Sequence, residues 1–117
     1  MQDDTLSRDE DRADAWFRAL ADSTRRDILR RVLRHEESVS SLARHYSMSL
    51  TAVQKHVVVL ERSGLITRRR SGRESLARGD AGNLRSASEL LTELESGGRD
   101  HIARIDELLD EAHDPKE

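Results

Sequence analysis

A chain of 117 residues can build one compact core but hardly two, and the absence of cysteine excludes disulfides, thiolate nucleophiles and thiolate metal sites together. No apolar run approaches the roughly 18 to 20 residues a bilayer span requires, and the opening MQDDTLSRDEDRAD is acidic where a secretory signal would be basic, so a cytoplasmic protein with no membrane partner is expected. The net charge of -3 conceals three blocks: residues 1–22 carry three Arg against seven acids, residues 23–78 twelve Arg and Lys55 against five, and residues 79–117 three Arg and Lys116 against eleven, a basic middle suited to a polyanion.

In chain order, residues 1–10 read as disordered, and Ala13, Trp16, Phe17 and Leu20 recur at helical spacing over Asp11 to Ala21. Asp22 and Ser23 read as the cap of a second helix, Thr24 to Arg34, with Ile28, Leu29 and Val32 on one face and Arg25, Arg26, Arg30, Arg31 and Arg34 around the other. Ser38 to Ser40 predict a short extended piece, with Ser40 capping a helix through Leu42, Ala43 and Tyr46. Ser47, Met48 and Ser49 form the next turn. Ser49 caps a helix from Leu50 to Ser63, which Gly64 stops in the left-handed region. Val53, Val57 and Leu60 form its buried stripe, while Thr51, Lys55, Val58 and Arg62 lie opposite and Gln54 at the margin.

Leu65 to Arg70 and Glu74 to Arg78 predict two strands around a Ser71-Gly72 turn, a hairpin with basic residues near its tip. A final helix is expected from Asp80 to Glu111, with Leu84, Ala87, Leu91, Leu94, Ile105 and Leu108 at three- and four-residue steps. Gly97 and Gly98 inside it imply a bend or a close contact that favours small residues.

This order, mainly α with a small β-hairpin, is that of a winged helix-turn-helix with dimerisation helices at both ends. The expected map is one domain over 1–117: residues 11–34 and 80–111 as dimerisation and support helices, 39–63 as the helix-turn-helix, 65–78 as the wing and 112–117 as a tail. An α-helix fits the major groove, where Thr51, Gln54 and Lys55 would reach base edges, and Ser49 with the free amides of the helix start would hold a phosphate. Arg68, Arg69, Arg70 and Arg73 on the hairpin would lie over the neighbouring backbone or the minor groove. Eighteen Arg against two Lys suit such forked contacts, although GC-rich coding would raise the Arg count equally well.

At these residues the chain resembles the ArsR/SmtB superfamily: ALADSTRRDIL at Ala19 to Leu29, VSSLARHYSMSLTAVQKHVVVLERSGLITRRRSGRE at Val39 to Glu74, and a long closing helix. The most specific run is S-x-x-x-V-x-x-H-x-x-x-L-x-x-x-G-L-I from Ser49 to Ile66. The resemblance implies that Ser49, Thr51, Gln54, Lys55 and His56 lie on the DNA-reading helix, that Arg70 and Arg73 belong to the wing, and that the first and last helices pair in a dimer. The chain also departs from the family pattern. Ser38 and Ser40 stand where metal sensors of the family place thiolates, and hydroxyls bind soft metals poorly. Asp100 and His101 are adjacent, with Ala112 and Lys116 at the later positions, so the closing-helix metal set is not built; Gly97 and Gly98 stand where related members carry a large aromatic.

His35, His45, His101 and His113 are scattered singly and read as surface residues, Trp16, Phe17 and Tyr46 as packing, and the acidic pairs Asp106-Glu107 and Asp110-Glu111 as solvated. No nucleophile with a base partner, Gly-rich phosphate loop or metal set appears, so neither enzyme chemistry nor a cofactor is expected. The expected function is a sequence-specific transcriptional regulator, a homodimeric repressor that binds double-stranded DNA at an inverted repeat, its own promoter included. No effector is specified. The alternatives are a winged-helix protein-interaction module, which would not need Lys55 and the Arg68 to Arg73 cluster, and a metal- or ligand-responsive sensor with an unrecognised site.

Overall fold

The computed structural model describes residues 4–112, with side chains for residues 8–97. Helix α1 spans Asp4–Ala19 and so begins seven residues before the expected start at Asp11, within the stretch read as disordered. The reason is cooperative: once Trp16 and Ala19 are buried, each earlier residue adds a helical hydrogen bond without a new nucleation cost, and no Gly or Pro interrupts the run. The C-terminal carbonyls of α1 are closed from the next helix. Arg25 donates from Nε to the Ala19 carbonyl at 2.7 Å and from a terminal nitrogen to that of Arg18 at 3.1 Å, and Arg26 donates to that of Leu20 at 2.7 Å.

Helix α2, Ser23–Arg34, is capped by Asp22, whose carboxylate accepts the Arg25 amide at 3.0 Å. That bond holds the Asp22 carboxyl below its usual range. The chain then extends into β1, Glu37–Ser38, and turns at once into α3, Val39–Ala43. The cap of α3 is Ser38, whose Oγ accepts the Ser41 amide at 3.0 Å, and not Ser40. Buried Val39 and Leu42 therefore fall in the helix, and exposed Ser40 lies inside it. Tyr46, expected within this helix, follows it in a tighter turn whose amides reach back three residues, such as His45 to Leu42 at 3.0 Å.

Helix α4, Leu50–Arg62, starts where Ser49 accepts the Ala52 amide at 3.1 Å. It ends at Gly64, φ +86°, where the Leu65 amide bonds the Leu60 carbonyl at 3.1 Å. A side chain at Gly64 would also strike Asn83, whose amide nitrogen donates to the Gly64 carbonyl at 2.8 Å. Strands β2, Ile66–Ser71, and β3, Glu74–Gly79, form the hairpin, with Gly72 at φ +61° in its turn.

The sheet has three antiparallel strands in the order β1-β3-β2, because Glu37 and Ser38 pair with Ala77 and Leu76. The expected two-stranded wing thus has one edge covered, which removes unpaired amides from β3. Ile28, Leu29 and Val32 of α2, Leu42 of α3, Val53, Val57 and Leu60 of α4, and Leu65, Ile66 and Ala77 at the base of the wing are all buried. This core fixes the outward face of α4 relative to the hairpin.

Helix α5 spans Ala81–Ala112 and runs through residues 97–98 without interruption. A Cβ built at Gly97 meets nothing within 4 Å, so no neighbour in the described chain explains the expected preference for a small residue there. By contact, the chain divides into two compact units, residues 1–84 and residues 85–117. The helix-turn-helix and the wing lie in the first. The second is the remaining length of α5, on which Leu91 and Leu94 are 51% and 60% exposed. Residues 113–117 of the expected tail, and the side chains of Asp100, His101, Ile105 and Leu108, lie outside the described residues. Among the described residues no helix is long and apolar enough to cross a membrane.

Candidate nucleic-acid interface

The buried stripe of α4 faces the core, so the residues between its turns are presented outward. Thr51, Gln54, Lys55 and Arg62 are exposed and Val58 is half-buried. With Val59 they line a shallow concavity of about 310 Å³ on the outer surface of α4. Ser49 is exposed at the helix start, its oxygen engaged in the cap and its hydroxyl hydrogen left to donate outward. Thr51, Gln54 and Lys55 make no side-chain hydrogen bond or ion pair among the described residues, so their donors and acceptors face water.

His56, grouped with these residues by the resemblance, turns elsewhere. It is half-buried, and its Nδ1 lies 3.4 Å from a guanidinium nitrogen of Arg25, which can only donate. His56 thereby joins α4 to the residue that closes α1. Its position beside Lys55 in sequence gave no sign of this, since one step along a helix rotates the side chain by about 100°.

The hairpin divides its arginines by strand alternation and by acidic partners. Arg68 is half-buried, with Nε 3.1 Å from Glu61 of α4 and a terminal nitrogen 3.5 Å from the Ser75 hydroxyl. Arg69 points to the other face and makes two parallel bonds to Glu36, at 2.9 and 2.8 Å. The Arg69 fork holds the Glu36 carboxyl below its usual range. Arg70 and Arg73 are exposed, and their side chains meet no acid among the described residues. Of the four hairpin arginines named from sequence, two are therefore engaged and two are open. Glu36 lies 33 residues from Arg69, and no local pattern could have announced that pairing.

A cleft of about 410 Å³ separates α4 from the hairpin, lined by Gln54 and Glu61 on one side and Arg68, Arg69, Arg70 and Ser75 on the other. Gln54 lines both this cleft and the outer concavity of α4, which makes the two surfaces continuous.

Away from this face, Tyr46 donates to Asp27 at 2.6 Å, and Arg31 donates to the same oxygen at 3.0 Å. These bonds hold the Asp27 carboxyl low, while burial and the adjacent carboxylate push the Tyr46 hydroxyl up to about 12. Tyr46 thus packs between the helix-turn-helix and α2. Nearby, burial of Glu37 opposes its ionisation, but bonds from Ser41 at 2.6 Å and His45 at 3.0 Å outweigh this and keep its carboxyl low. Among the described residues no three of His, Asp and Glu gather as a metal-binding group.

Helix α3, the turn, the exposed helix α4 and a three-stranded wing define a winged helix-turn-helix protein. A model of the helix-turn-helix domain matches residues 20–69. An uncharacterised HTH-type transcriptional regulator of Bacillus subtilis, YuzN, is 45% identical over an alignment 67 positions long that covers 51% of this chain and 73% of that protein. Among solved structures, an ArsR-like regulator from Rhodococcus sp. RHA1 superposes with a TM-score of 0.71 at 29% identity, covering 85% of this chain and 93% of that one. A second structure, an ArsR family transcriptional regulator, gives 0.71 at 31% identity, over 77% and 93%. A homodimeric winged helix-turn-helix DNA-binding domain from Mycobacterium bovis shares the fold, with a TM-score of 0.67 at 24% identity over 81% and 89%. The chain belongs to the ArsR family of helix-turn-helix transcriptional regulators.

Proposed function

We propose that the protein is a homodimeric repressor that lays α4 in the major groove of an inverted-repeat operator, its own promoter among the targets. The observation that carries this reading is the contrast in pairing. Most arginines of α2 and the inner wing are tied to carbonyls or acids, while Thr51, Gln54, Lys55 and Arg70 stand open on one continuous surface and Arg73 stands open in the hairpin turn. Gln54 carries the amide that pairs with adenine, Lys55 donates to guanine, and Arg70 and Arg73 meet phosphate or the minor-groove wall. Ser49 donates to a phosphate at the start of α4, where the helix dipole favours an anion. Arg68 and Arg69 instead brace the hairpin, and His56 braces α4.

Dimerisation is supported by Leu91 and Leu94, exposed large apolar residues on α5, and by a fold that the Mycobacterium bovis domain uses as a homodimer. Two copies would place their α4 helices about one DNA turn, roughly 34 to 36 Å, apart. Selection of binding sites from a random duplex library with the purified protein tests the reading. Inverted repeats with that spacing are expected. No enrichment at low salt, where phosphate contacts are strongest, would reject it.

A further inference from the structure

The outward surface of α4 does not end at Lys55. A concavity of about 270 Å³ lies where α1 meets α4, lined by Ala15, Arg18 and Ala19 of α1 and by Val59, Arg62 and Ser63 at the end of α4. It shares Val59 and Arg62 with the outer concavity of α4, which shares Gln54 with the wing cleft. One surface therefore runs from the wing across Gln54, Lys55 and Val58 to Arg62 and Arg18. Successive residues turn by about 100° along a helix, which sets Val59 on the flank of α4 away from Gln54 and Glu61, and Arg62 on the outward stripe of Thr51 and Lys55 but about two turns nearer the helix end, beside α1.

Cations in the last turn of a helix ordinarily answer its negative end, and both Arg18 and Arg62 sit in such turns. Here those ends are already served. The carbonyls closing α1 accept from Arg25 and Arg26, and α4 is closed by the amides of Ser63, Gly64 and Leu65. Neither guanidinium, Arg18 or Arg62, has an acid or acceptor partner among the described residues, and both are exposed. Ala15 and Ala19 between them are small, so nothing bulky keeps a strand of backbone away.

We propose that Arg18 and Arg62 form a second phosphate-holding site for duplex DNA, where α1 meets the end of α4 and away from the wing. The site rests on the DNA-binding reading above and extends it: the wing holds one wall of the groove through Arg70 and Arg73, and Arg18 with Arg62 holds the other. Neither residue reads a base, so the site adds affinity without sequence choice.

The test measures affinity for a selected operator, and for mismatched sites, from 50 to 200 mM salt with wild type, Arg18→Gln, Arg62→Gln, the double variant and Arg73→Ala. Each neutralised contact flattens the slope of log affinity against log salt by about 0.9, so the double variant should lose about twelve-fold less affinity than wild type across that range, with the same ranking of sites. Arg18→Lys and Arg62→Lys keep the charge and should keep the wild-type slope, which separates a phosphate contact from a folding defect. Unchanged slopes in both Gln variants, with a flattened slope in Arg73→Ala, would overturn the second site and leave the wing reading standing. A changed ranking of sites in either Gln variant would also overturn it. Failure of wild type to bind any duplex at low salt would remove the DNA-binding reading and this site with it.

Discussion

Replacing Gly79 with Ala perturbs the point where the wing is anchored to the helical core. A Cβ there would lie 2.5 Å from Leu33 Cδ2, 2.7 Å from its Cγ and 3.2 Å from its Cα. The first two atoms can move, since Leu33 is 37% exposed and its side chain can swing towards solvent. The Cα cannot, because it belongs to α2. Overpacking of this kind costs about 1 to 3 kcal/mol, and the mobile side chain places Gly79→Ala near 2 kcal/mol, roughly 10 °C in Tm for a domain of this size. Leu33→Ala alone should cost less than about 1 kcal/mol, as expected of a partly exposed position. In the Leu33→Ala background Gly79→Ala should then cost about 1 kcal/mol, the remainder due to backbone. Thermal unfolding of the four proteins completes the cycle. An equal cost of Gly79→Ala in both backgrounds would show that Leu33 is not the obstacle and that the account of the close approach is wrong.

Tyr46→Phe removes the donor to Asp27 and should cost about 1.5 kcal/mol at neutral pH, the low end for a bond to a charged group because Asp27 is partly exposed. The Asp27 carboxyl is lowered by folding, so its contribution is present above its ordinary value of 3.8 and lost as pH falls through the lower folded value. The Tyr46 hydroxyl is raised from 10.0 to about 12, so its contribution is lost as pH climbs across that interval. Urea unfolding against pH should therefore show wild type and variant converging at both extremes, and a constant difference would refute the pairing. Arg69→Ala should leave the salt dependence of DNA binding unchanged, because Glu36 already holds its fork, whereas Arg73→Ala should flatten the slope by about 0.9; equal flattening by both would contradict the division of the wing. Zinc or arsenite at physiological levels should not release DNA, with Ser38 spent on capping α3 and Ser40 a hydroxyl, and calorimetric zinc binding at micromolar levels that weakens the complex would show otherwise.

The element order was legible because period and punctuation agreed. Val53, Val57 and Leu60 set the inner face of α4, and Ser49 and Gly64 marked its ends. Errors arose where tertiary contacts decide. Glu37 and Ser38 are too short a run to declare a strand and become one only because β3 offers an edge, which also moves the cap of α3 from Ser40 to Ser38. The early start of α1 follows from a helix already anchored at Trp16, a fact of packing and not of local propensity. The candidate interface was half legible. Exposure of Thr51, Gln54 and Lys55 follows from helical periodicity, but the pairing of Arg68 with Glu61, Arg69 with Glu36 and His56 with Arg25 depends on segments 7, 33 and 31 residues apart. A charge pattern gives the sign of a surface and not which of its charges are already answered.

In the proposed division of labour α4 reads sequence while the open wing arginines hold phosphate. Binding of wild type, Gln54→Ala and Arg73→Ala to a selected operator and to single-mismatch sites, each across a salt series, tests it most directly. Gln54→Ala should lose about 1 to 3 kcal/mol of discrimination at one base pair and keep the wild-type salt slope. Arg73→Ala should weaken all sites by similar factors and flatten the slope by about 0.9. A change of base preference in Arg73→Ala, with Gln54→Ala discriminating as wild type does, would contradict the account.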